Sequence, residues 1–190
     1  GLIWSPRSNI SLYGHTASVT LYDLLGAGIA LGTDWTASGS MNMLREVQCA
    51  DYLNQNHYAG YFSDRELIDM ASYNGALLLG YGDVLGALEP GFVADITIFR
   101  GESTDPHRAV LDAGVSDVML VVRGGTALYG RDSILTALPE FNANGCEPID
   151  VCGETQQVCI QQETGETLGS LQAGVSGGTF ETYPLFFCDT

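Results

Sequence analysis

Residues 29–34 read Ile-Ala-Leu-Gly-Thr-Asp, a short apolar run that ends in two polar residues. A continuous apolar run of this length is typical of a β-strand buried on both faces, as in a parallel sheet. The strand follows a segment, residues 18–27, whose valine and leucines recur at helical spacing before a glycine. The sequence therefore predicts a helix, a buried strand, and Asp34 just past the end of that strand.

Strand and helix patterns alternate on both sides of this strand. Residues 1–5 form a short apolar run that stops at Pro6, and residues 43–53 carry an apolar stripe at helical spacing. The sequence SDRE at residues 63–66 has the form of a capping box, which predicts a further helix through about Leu79. This alternation predicts an α/β fold with a parallel sheet.

The pattern changes after about residue 80. The sequence Glu-Pro-Gly at residues 89–91 predicts a tight turn. Residues 94–99 and 118–122 predict strands, and the glycine pair at 124–125 predicts a hairpin to a third strand at 127–129. We expect residues 81–130 to form a separate β layer.

Four of the five cysteines lie near the end of the chain, at Cys146, Cys152, Cys159 and Cys188. None of them forms the close pair that zinc knuckles use, so two disulfides are favoured over a metal site. Sequence spacing leaves all three pairings open. We expect residues 131–190 to be a solvated, acidic, disulfide-bonded tail of a secreted or cell-envelope protein. Cys49 falls in a helical pattern and is expected to be a buried apolar residue.

The charge balance excludes two classes of partner. Seven arginines, with no lysine, stand against 23 acidic residues, for a net charge of −16. Nucleic-acid backbones and anionic membrane surfaces are bound by clustered basic side chains, so neither is an expected partner. No apolar run approaches the roughly 18 residues that a membrane-spanning helix needs.

Asp34 is the candidate functional residue. The carboxyl end of a buried parallel strand is the edge where barrels carry their catalytic groups. A carboxylate there can bind a divalent metal or take a proton from water. The alternative is structural, because an aspartate after a strand can cap the next helix or stabilise a turn.

Several segments follow one another in an order known from one superfamily. Residues 5–14 (SPRSNISLYG) are similar to an S/C-P-x-S-N-x-x-L-x-G segment, and residues 24–34 to an L-L-x-A-G-V-x-V-A-L-G-T-D strand. Residues 43–46 (MLRE) resemble a D-M-L-x-E helix start, with Asn42 where aspartate is usual. Residues 74–95 resemble an N-x-A-x-x-L-G … G-x-L-x-x-G-x-x-A-D signature. Over residues 1–130 the chain thus resembles the amidohydrolase superfamily, in its cytosine deaminase and chlorohydrolase branch.

The resemblance implies a fold for each part of the chain. Residues 1–80 would be the C-terminal part of a TIM (β/α)8 barrel and residues 81–130 a small β-sandwich segment. The tail, residues 131–190, lies outside the family pattern.

The resemblance also implies roles for individual residues. Asp34 would be catalytic, either as a ligand of a divalent metal, with zinc the expected ion, or as the group that shuttles a proton from its water. Ser8 and Asn9 match the loop that lines the substrate pocket, where a role in tying the loop to the barrel is equally open. Trp35 would either form a wall of the substrate pocket or pack against the rest of the protein.

The histidines that the superfamily uses as metal ligands are not matched. The family binds metal through an H-x-H on strand one and further histidines on strands five and six. This chain has only His15, His57 and His107, none in such a pair, and we expect surface or packing roles for them. About two of eight barrel strands are present, and the first residue is Gly1. We therefore expect an upstream portion of the same protein to carry the other ligands.

The sequence predicts the C-terminal fragment of a metal-dependent hydrolase, inactive when isolated. Its substrate would be a small molecule with a carbon–nitrogen bond other than a peptide bond, and a homo-oligomer is compatible with the sequence. The rival hypothesis is a non-catalytic secreted binding or structural module, in which Asp34 caps a helix and the tail presents an interaction surface. The missing histidines favour the rival for the isolated chain, whereas the ordered motifs favour the enzyme.

Overall fold

The computed structural model describes residues 1–139, 141–178, 186 and 188. Within them, no helix combines the length and apolarity needed to cross a membrane. The elements, in chain order, are β1 (Leu2–Trp4), α1 (Pro6–Tyr13), α2 (Val19–Leu24), β2 (Ile29–Leu31), α3 (Met43–His57), α4 (Asp64–Ala71), α5 (Tyr73–Leu78), β3 (Ile96–Phe99), α6 (Pro106–Leu111), a 3-10 turn (Val115–Asp117), β4 (Val118–Arg123), β5 (Thr126–Gly130), α7 (Asp132–Leu135), β6 (Glu147–Val151), β7 (Glu154–Val158), α8 (Gln161–Thr164) and α9 (Leu168–Ser176).

These elements fall into two compact units. The first comprises Gly1–Phe92 and Gly101–Asp112, and the second comprises Val93–Arg100 and the chain from Ala113 onward. The boundaries predicted after residues 80 and 130 do not coincide with these units. The difference arises because the chain contributes β3 to the second unit and then returns to add α6 to the first.

The first unit is built around two parallel strands. β1 pairs with β2 in the register Leu2 to Ile29 and Trp4 to Leu31. The pairing is extended at one end by the Gly32 amide, which donates to the Trp4 carbonyl at 2.9 Å. The strand–helix alternation predicted from the sequence is therefore confirmed, and the carboxyl ends of both strands lie at one edge.

The apolar core of this unit gathers around the buried strands. Trp4 is completely buried, and its indole ring meets Tyr58 edge to face at 6.4 Å between ring centroids. Burial of these large side chains is the main favourable contribution to folding, at about 25 cal/mol per Å² of apolar surface. The other buried members are Val19, Ile29, Leu31, Val47, Ala50, Leu53, Phe62, Leu67, Met70 and Leu111.

The helix predicted from Ser63 through about Leu79 is two helices. Its start is as expected, because the Ser63 and Glu66 side chains form a reciprocal capping box. The helix breaks at Ser72, whose hydroxyl donates to the Ile68 carbonyl at 2.8 Å and so competes with the helical hydrogen-bond pattern. Beyond the break, Asn74 of α5 donates from Nδ2 to the Ile29 carbonyl of β2 at 2.8 Å.

Arg108 holds the returning helix α6 to the first unit. Its guanidinium donates to both oxygens of Asp51 on α3, at 2.7 and 3.1 Å, and to both oxygens of Asp64 on α4, with 2.8 Å for the Nε bond. These hydrogen bonds, first from Asp51 and then from Asp64, raise the pKa of Arg108. One side chain thus joins three helices of this unit.

The second unit contains a five-stranded antiparallel sheet in the order β3-β4-β5-β7-β6. The predicted hairpin is confirmed, with Gly124 and Gly125 both at positive φ between β4 and β5. Residues 147–158, predicted to belong to a solvated tail, instead form the last two strands, because β7 pairs with β5 through Tyr129 and Val158. A second sheet, which the predicted sandwich requires, stays a prediction.

Two disulfides reinforce the end of this unit. They join Cys146 to Cys159 and Cys152 to Cys188, which selects one of the three pairings that the sequence left open. Cys49 is the free cysteine; it lies on α3, as predicted, but is half-buried rather than buried.

Replacing Arg108 tests the link between the three helices. We expect Arg108→Ala to lower the free energy of unfolding by about 1–3 kcal/mol, because it leaves two half-buried carboxylates without their partner. Arg65→Ala is the control, since Arg65 pairs with Asp69 in an exposed i,i+4 arrangement that should contribute about 0.5 kcal/mol or less. Urea denaturation measures both, and equal losses would contradict the assignment.

Candidate active site at the end of the parallel strands

Asp34 lies three residues beyond β2, with its side chain exposed at the carboxyl edge of the strand pair. Its φ of +54° is in the left-handed region, which aspartate tolerates better than most residues. The chain then turns back, because the Ser40 amide donates to the Thr33 carbonyl at 3.0 Å. This close return requires glycine at position 39, where a Cβ would lie 1.9 Å from the Thr33 oxygen.

The structural alternative for Asp34 was that it caps the next helix or stabilises a turn, and the first of these two roles belongs to another residue. The cap of α3 is Asn42, whose Oδ1 accepts a hydrogen bond from the Arg45 amide at 2.9 Å. Asn42 stands where the family pattern has aspartate, and a short polar side chain of either type can fill that position. Asp34 is therefore left with its carboxylate at the strand end.

Ser8 supports the Asp34 carboxylate from inside the protein. Ser8 lies in the first turn of α1 and is completely buried. Its hydroxyl donates to Asp34 Oδ2 at 2.5 Å, and its Oγ lies 2.9 Å from the buried Ser38 Oγ. The helix after β1 and the loop after β2 thus meet through a hydrogen-bonded row of three side chains.

A second layer of polar side chains lies behind this row. The Arg7 side chain donates from Nε to Ser40 Oγ at 3.0 Å and from Nη2 to the Arg45 carbonyl at 3.4 Å. The Arg7 backbone amide donates to Glu46 Oε1 at 3.1 Å. Glu46 is completely buried, although it carries a carboxyl group.

The environment of Glu46 disfavours its charge. Burial raises the pKa of this carboxyl, while hydrogen bonds from Ser40 and from the Arg7 amide, and the Arg7 charge, lower it. The negative charge of Asp34 raises it further, and the net direction is upward. Glu46 therefore holds its proton more tightly than an exposed glutamate does.

Buried polar side chains are concentrated at this edge. Burying a polar group is unfavourable unless it is hydrogen-bonded, so such groups are rare in a core built only for stability. Among the described residues, four of the six buried polar or charged side chains lie in the two layers behind Asp34. The six are Ser8, Ser38, Ser40, Glu46, Asn54 and Gln156.

The other predicted site residues differ in exposure. Asn9 accepts a hydrogen bond at Oδ1 from the Thr16 hydroxyl at 3.2 Å, and Thr16 in turn accepts one from the Trp4 indole at 2.6 Å. This arrangement ties α1 to the segment that follows it and, through Thr16, to Trp4 of β1. Trp35 is 67% exposed next to Asp34, so its ring is not part of the core.

The described residues supply one suitable metal ligand rather than a complete set. No three of their histidine, cysteine, aspartate and glutamate side chains gather into a group that could hold a metal. An exposed carboxylate with one oxygen oriented by a serine is a suitable zinc ligand, and zinc sites in proteins use three or four. Asp34 therefore fits as a single contributor.

Glu46 and the serines of the loop were missed from the sequence. The segment Thr36–Ser40 reads as a polar loop, and nothing in its composition shows that Ser38 and Ser40 are buried. The burial of Glu46 could have been predicted from the sequence, because it falls on the buried face of α3, next to Val47 and one turn before Ala50. A carboxylate within an apolar stripe marks a buried polar group that requires an explanation.

Comparison with known proteins gives a family for this arrangement. The sequence profile of the Amidohydrolase family matches residues 7–151. The chain belongs to the amidohydrolase family. The resemblance seen in its motifs is thereby confirmed, and Ser8 and Asp34 both lie within the matched residues. The predicted limit at residue 130 is too early, because the match continues to residue 151.

Individual relatives match about three quarters of this amidohydrolase chain. It is 35% identical over 146 residues to a 5-methylthioadenosine/S-adenosylhomocysteine deaminase of Syntrophomonas wolfei, covering 72% of this chain and 34% of that protein. A deaminase of the same name from Desulforamulus reducens is 31% identical over 156 residues, with 74% and 34% covered. The chain thus spans about a third of the length of these relatives.

Solved structures also align with this chain. An adenosine deaminase from Xanthomonas campestris with bound zinc gives a TM-score of 0.59 at 24% identity, over 65% of this chain and 30% of its own, and supports the fold. An atrazine chlorohydrolase from Arthrobacter aurescens complexed with zinc gives a TM-score of 0.51 at 30% identity, over 64% and 29%. The structures that this amidohydrolase chain resembles therefore include zinc-bound hydrolases.

The raised pKa of Glu46 predicts a pH dependence of stability. The folded protein binds this proton more tightly than the unfolded chain, so the contribution of Glu46 becomes less favourable as pH rises from about 4. We expect Glu46→Gln to gain stability relative to the parent protein between pH 4 and pH 7, measured by urea denaturation.

A glutamate with the opposite shift provides the control. The Ser63 side-chain and backbone hydrogen bonds lower the pKa of Glu66. Its contribution grows as pH rises, so Glu66→Gln should lose stability relative to the parent over the same range. Parallel pH profiles for the two variants would contradict the environment assigned to Glu46.

Proposed function

We propose that this chain is the C-terminal part of a zinc-dependent hydrolase that cleaves carbon–nitrogen bonds, other than peptide bonds, in small molecules. The observation that carries the proposal is the exposed Asp34 carboxylate, oriented by buried Ser8 at the carboxyl end of two parallel strands. Membership of the amidohydrolase family supports the reaction class, and the deaminases among the relatives support the type of bond.

Asp34 is proposed to contribute one ligand to the zinc ion. When bound, the metal supplies Lewis acidity that makes water a nucleophile near neutral pH. The remaining ligands are proposed to be histidines on an upstream portion of the same protein, because the described residues gather no complete ligand set.

The proposed proton transfers use the Asp34 carboxylate. It accepts a proton from the attacking water as the new carbon–oxygen bond forms, and it returns that proton to the departing nitrogen as the carbon–nitrogen bond breaks. The Ser8 hydroxyl donates to Oδ2, which keeps the carboxylate oriented toward the water from which it takes the proton. Alignment of this kind contributes to rate because a misplaced base is a poor proton acceptor.

The proposed substrate is a planar nitrogen heterocycle that carries an amino group. The relatives' names include a purine nucleoside and a sulfur-containing analogue as the compounds deaminated, and the exposed Trp35 ring offers a flat apolar surface beside Asp34. Stacking on an aromatic ring suits such a substrate. Ser8 and Asn9 are proposed to shape the substrate pocket indirectly, Ser8 through its hydrogen bond to Asp34 and Asn9 through its hydrogen bond from Thr16.

The protein is proposed to act outside the cytoplasm. The disulfides Cys146–Cys159 and Cys152–Cys188 support an oxidising compartment, either the periplasm or the extracellular space.

Replacing Asp34 in the full-length protein tests the proposed function. Asp34→Asn should lower kcat for ammonia release from amino-substituted heterocycles by about 10²–10⁴-fold, because asparagine cannot accept the proton. Asp23→Asn is a matched control, since Asp23 is also exposed and also accepts a hydroxyl hydrogen bond, from Tyr61 at 2.8 Å. We expect the control to retain activity within about twofold. Full activity of Asp34→Asn would overturn the assignment.

A further inference from the structure

Glu46 occupies a position in the core that an apolar residue would fill at lower cost. It is completely buried beside Val47 on α3, where Ser40 and the Arg7 amide both donate to its carboxyl group, yet its Oε2 atom has no hydrogen-bond partner among the described residues. A buried polar atom without a partner has lost its hydrogen bonds to water and gained none in return, which opposes folding. Core packing alone therefore gives no reason for a carboxyl group at this position.

The other oxygen of Glu46 replaces a missing helix cap. The first amides of a helix have no partner within the helix and are usually satisfied by the side chain of the N-cap residue. The N-cap of α1 is Ser5, and its side chain makes no capping hydrogen bond. Glu46 Oε1 instead accepts from the Arg7 amide in the first turn of α1, 39 residues away in sequence.

This distant cap ties the first turn of α1 to α3 and to the loop after β2. Arg7, which donates its amide to Glu46, also reaches Ser40 of the loop with its side chain. The next residue, Ser8, is the one that bonds to Asp34 and contacts Ser38. The position of the Ser8 hydroxyl is thus set from outside α1.

We propose that Glu46 is a positioning residue for the reaction: by holding the Arg7 amide, it fixes the first turn of α1 so that Ser8 orients the Asp34 carboxylate. The proposal rests on the function proposed above and extends it to a residue that touches neither substrate nor metal. What matters is the acceptor oxygen at Oε1 rather than the charge of the side chain.

Two replacements of Glu46 in the full-length protein separate the effect of its acceptor oxygen from the effect of its charge. Glu46→Leu removes the acceptor and should lower kcat by about 10–100-fold, with KM changed by less than about threefold, because the base is misaligned while substrate contacts remain. Glu46→Gln keeps an acceptor oxygen and should restore kcat to within about threefold of the parent. A kcat for Glu46→Gln as low as that of Glu46→Leu would overturn the proposal, even if the leucine variant folds poorly.

Glu66→Leu is the matched control for general destabilisation. Glu66 also accepts a backbone amide hydrogen bond at a helix start, from Ser63 at 2.8 Å, but on α4. Its loss should lower stability and leave kcat within about twofold. Equal decreases in kcat for Glu66→Leu and Glu46→Leu would show a purely structural role for Glu46 and overturn the proposal.

Hydrogen exchange tests the proposal independently of turnover. The amides of Arg7 and Ser8 should exchange faster in Glu46→Leu, and remain as in the parent in Glu46→Gln and Glu66→Leu. If the parent protein hydrolyses no carbon–nitrogen substrate but shows this exchange pattern, the proposed function fails while the positioning of α1 by Glu46 stands. If the parent is active but α1 exchange is unchanged in Glu46→Leu, the positioning role fails and the proposed function stands.

Discussion

The hydrogen bond from Ser8 to Asp34 is the interaction on which the site depends. It joins the helix after one parallel strand to the loop after the other, and it exists only because β1 and β2 pair in parallel. In antiparallel strands, the ends that carry these residues would lie at opposite edges of the sheet. The pairing of the short apolar strands β1 and β2 therefore determines that Ser8 and Asp34 can meet, and the chemistry of the site depends on that contact.

The groups behind this hydrogen bond are unfavourable for stability taken one at a time. The left-handed backbone of Asp34 is strained, and three buried serines and a buried glutamate oppose folding unless their hydrogen bonds are made. The apolar core around Trp4 supplies the compensating free energy. Such a concentration of unfavourable groups at one strand edge is typical of sites that hold a reactive group in a fixed orientation.

Local patterns in the sequence predicted the elements that build the site. The strand at Ile29–Leu31, the capping box at Ser63 and the functional candidate Asp34 follow from apolar runs and capping chemistry. The break at Ser72 could not be predicted in this way. A serine in a helical pattern bends the chain only when its hydroxyl donates to a backbone carbonyl, which the pattern does not show. Contacts between residues far apart in sequence, such as Arg7 and Glu46, cannot be predicted from any local pattern.

Two strands of the second unit, β6 and β7, were also not predicted from the sequence. β6 and β7 are rich in polar residues, and β6 contains Pro148, so their sequence resembles a solvated segment. A proline is tolerated there because β6 lies at the edge of the sheet. The pairing of β7 with β5 and of β6 with β7, rather than intrinsic preference, makes these residues strands.

In the proposed function, Asp34 faces a zinc ion whose other ligands lie on an upstream portion of the same protein. Anomalous diffraction at the zinc absorption edge, on crystals of the full-length protein, tests it most directly. The account predicts one zinc ion about 2.0–2.2 Å from an Asp34 carboxylate oxygen, with histidines from beyond residues 1–190 as further ligands. A zinc ion bound away from Asp34, or held by ligands within residues 1–190 alone, would contradict it.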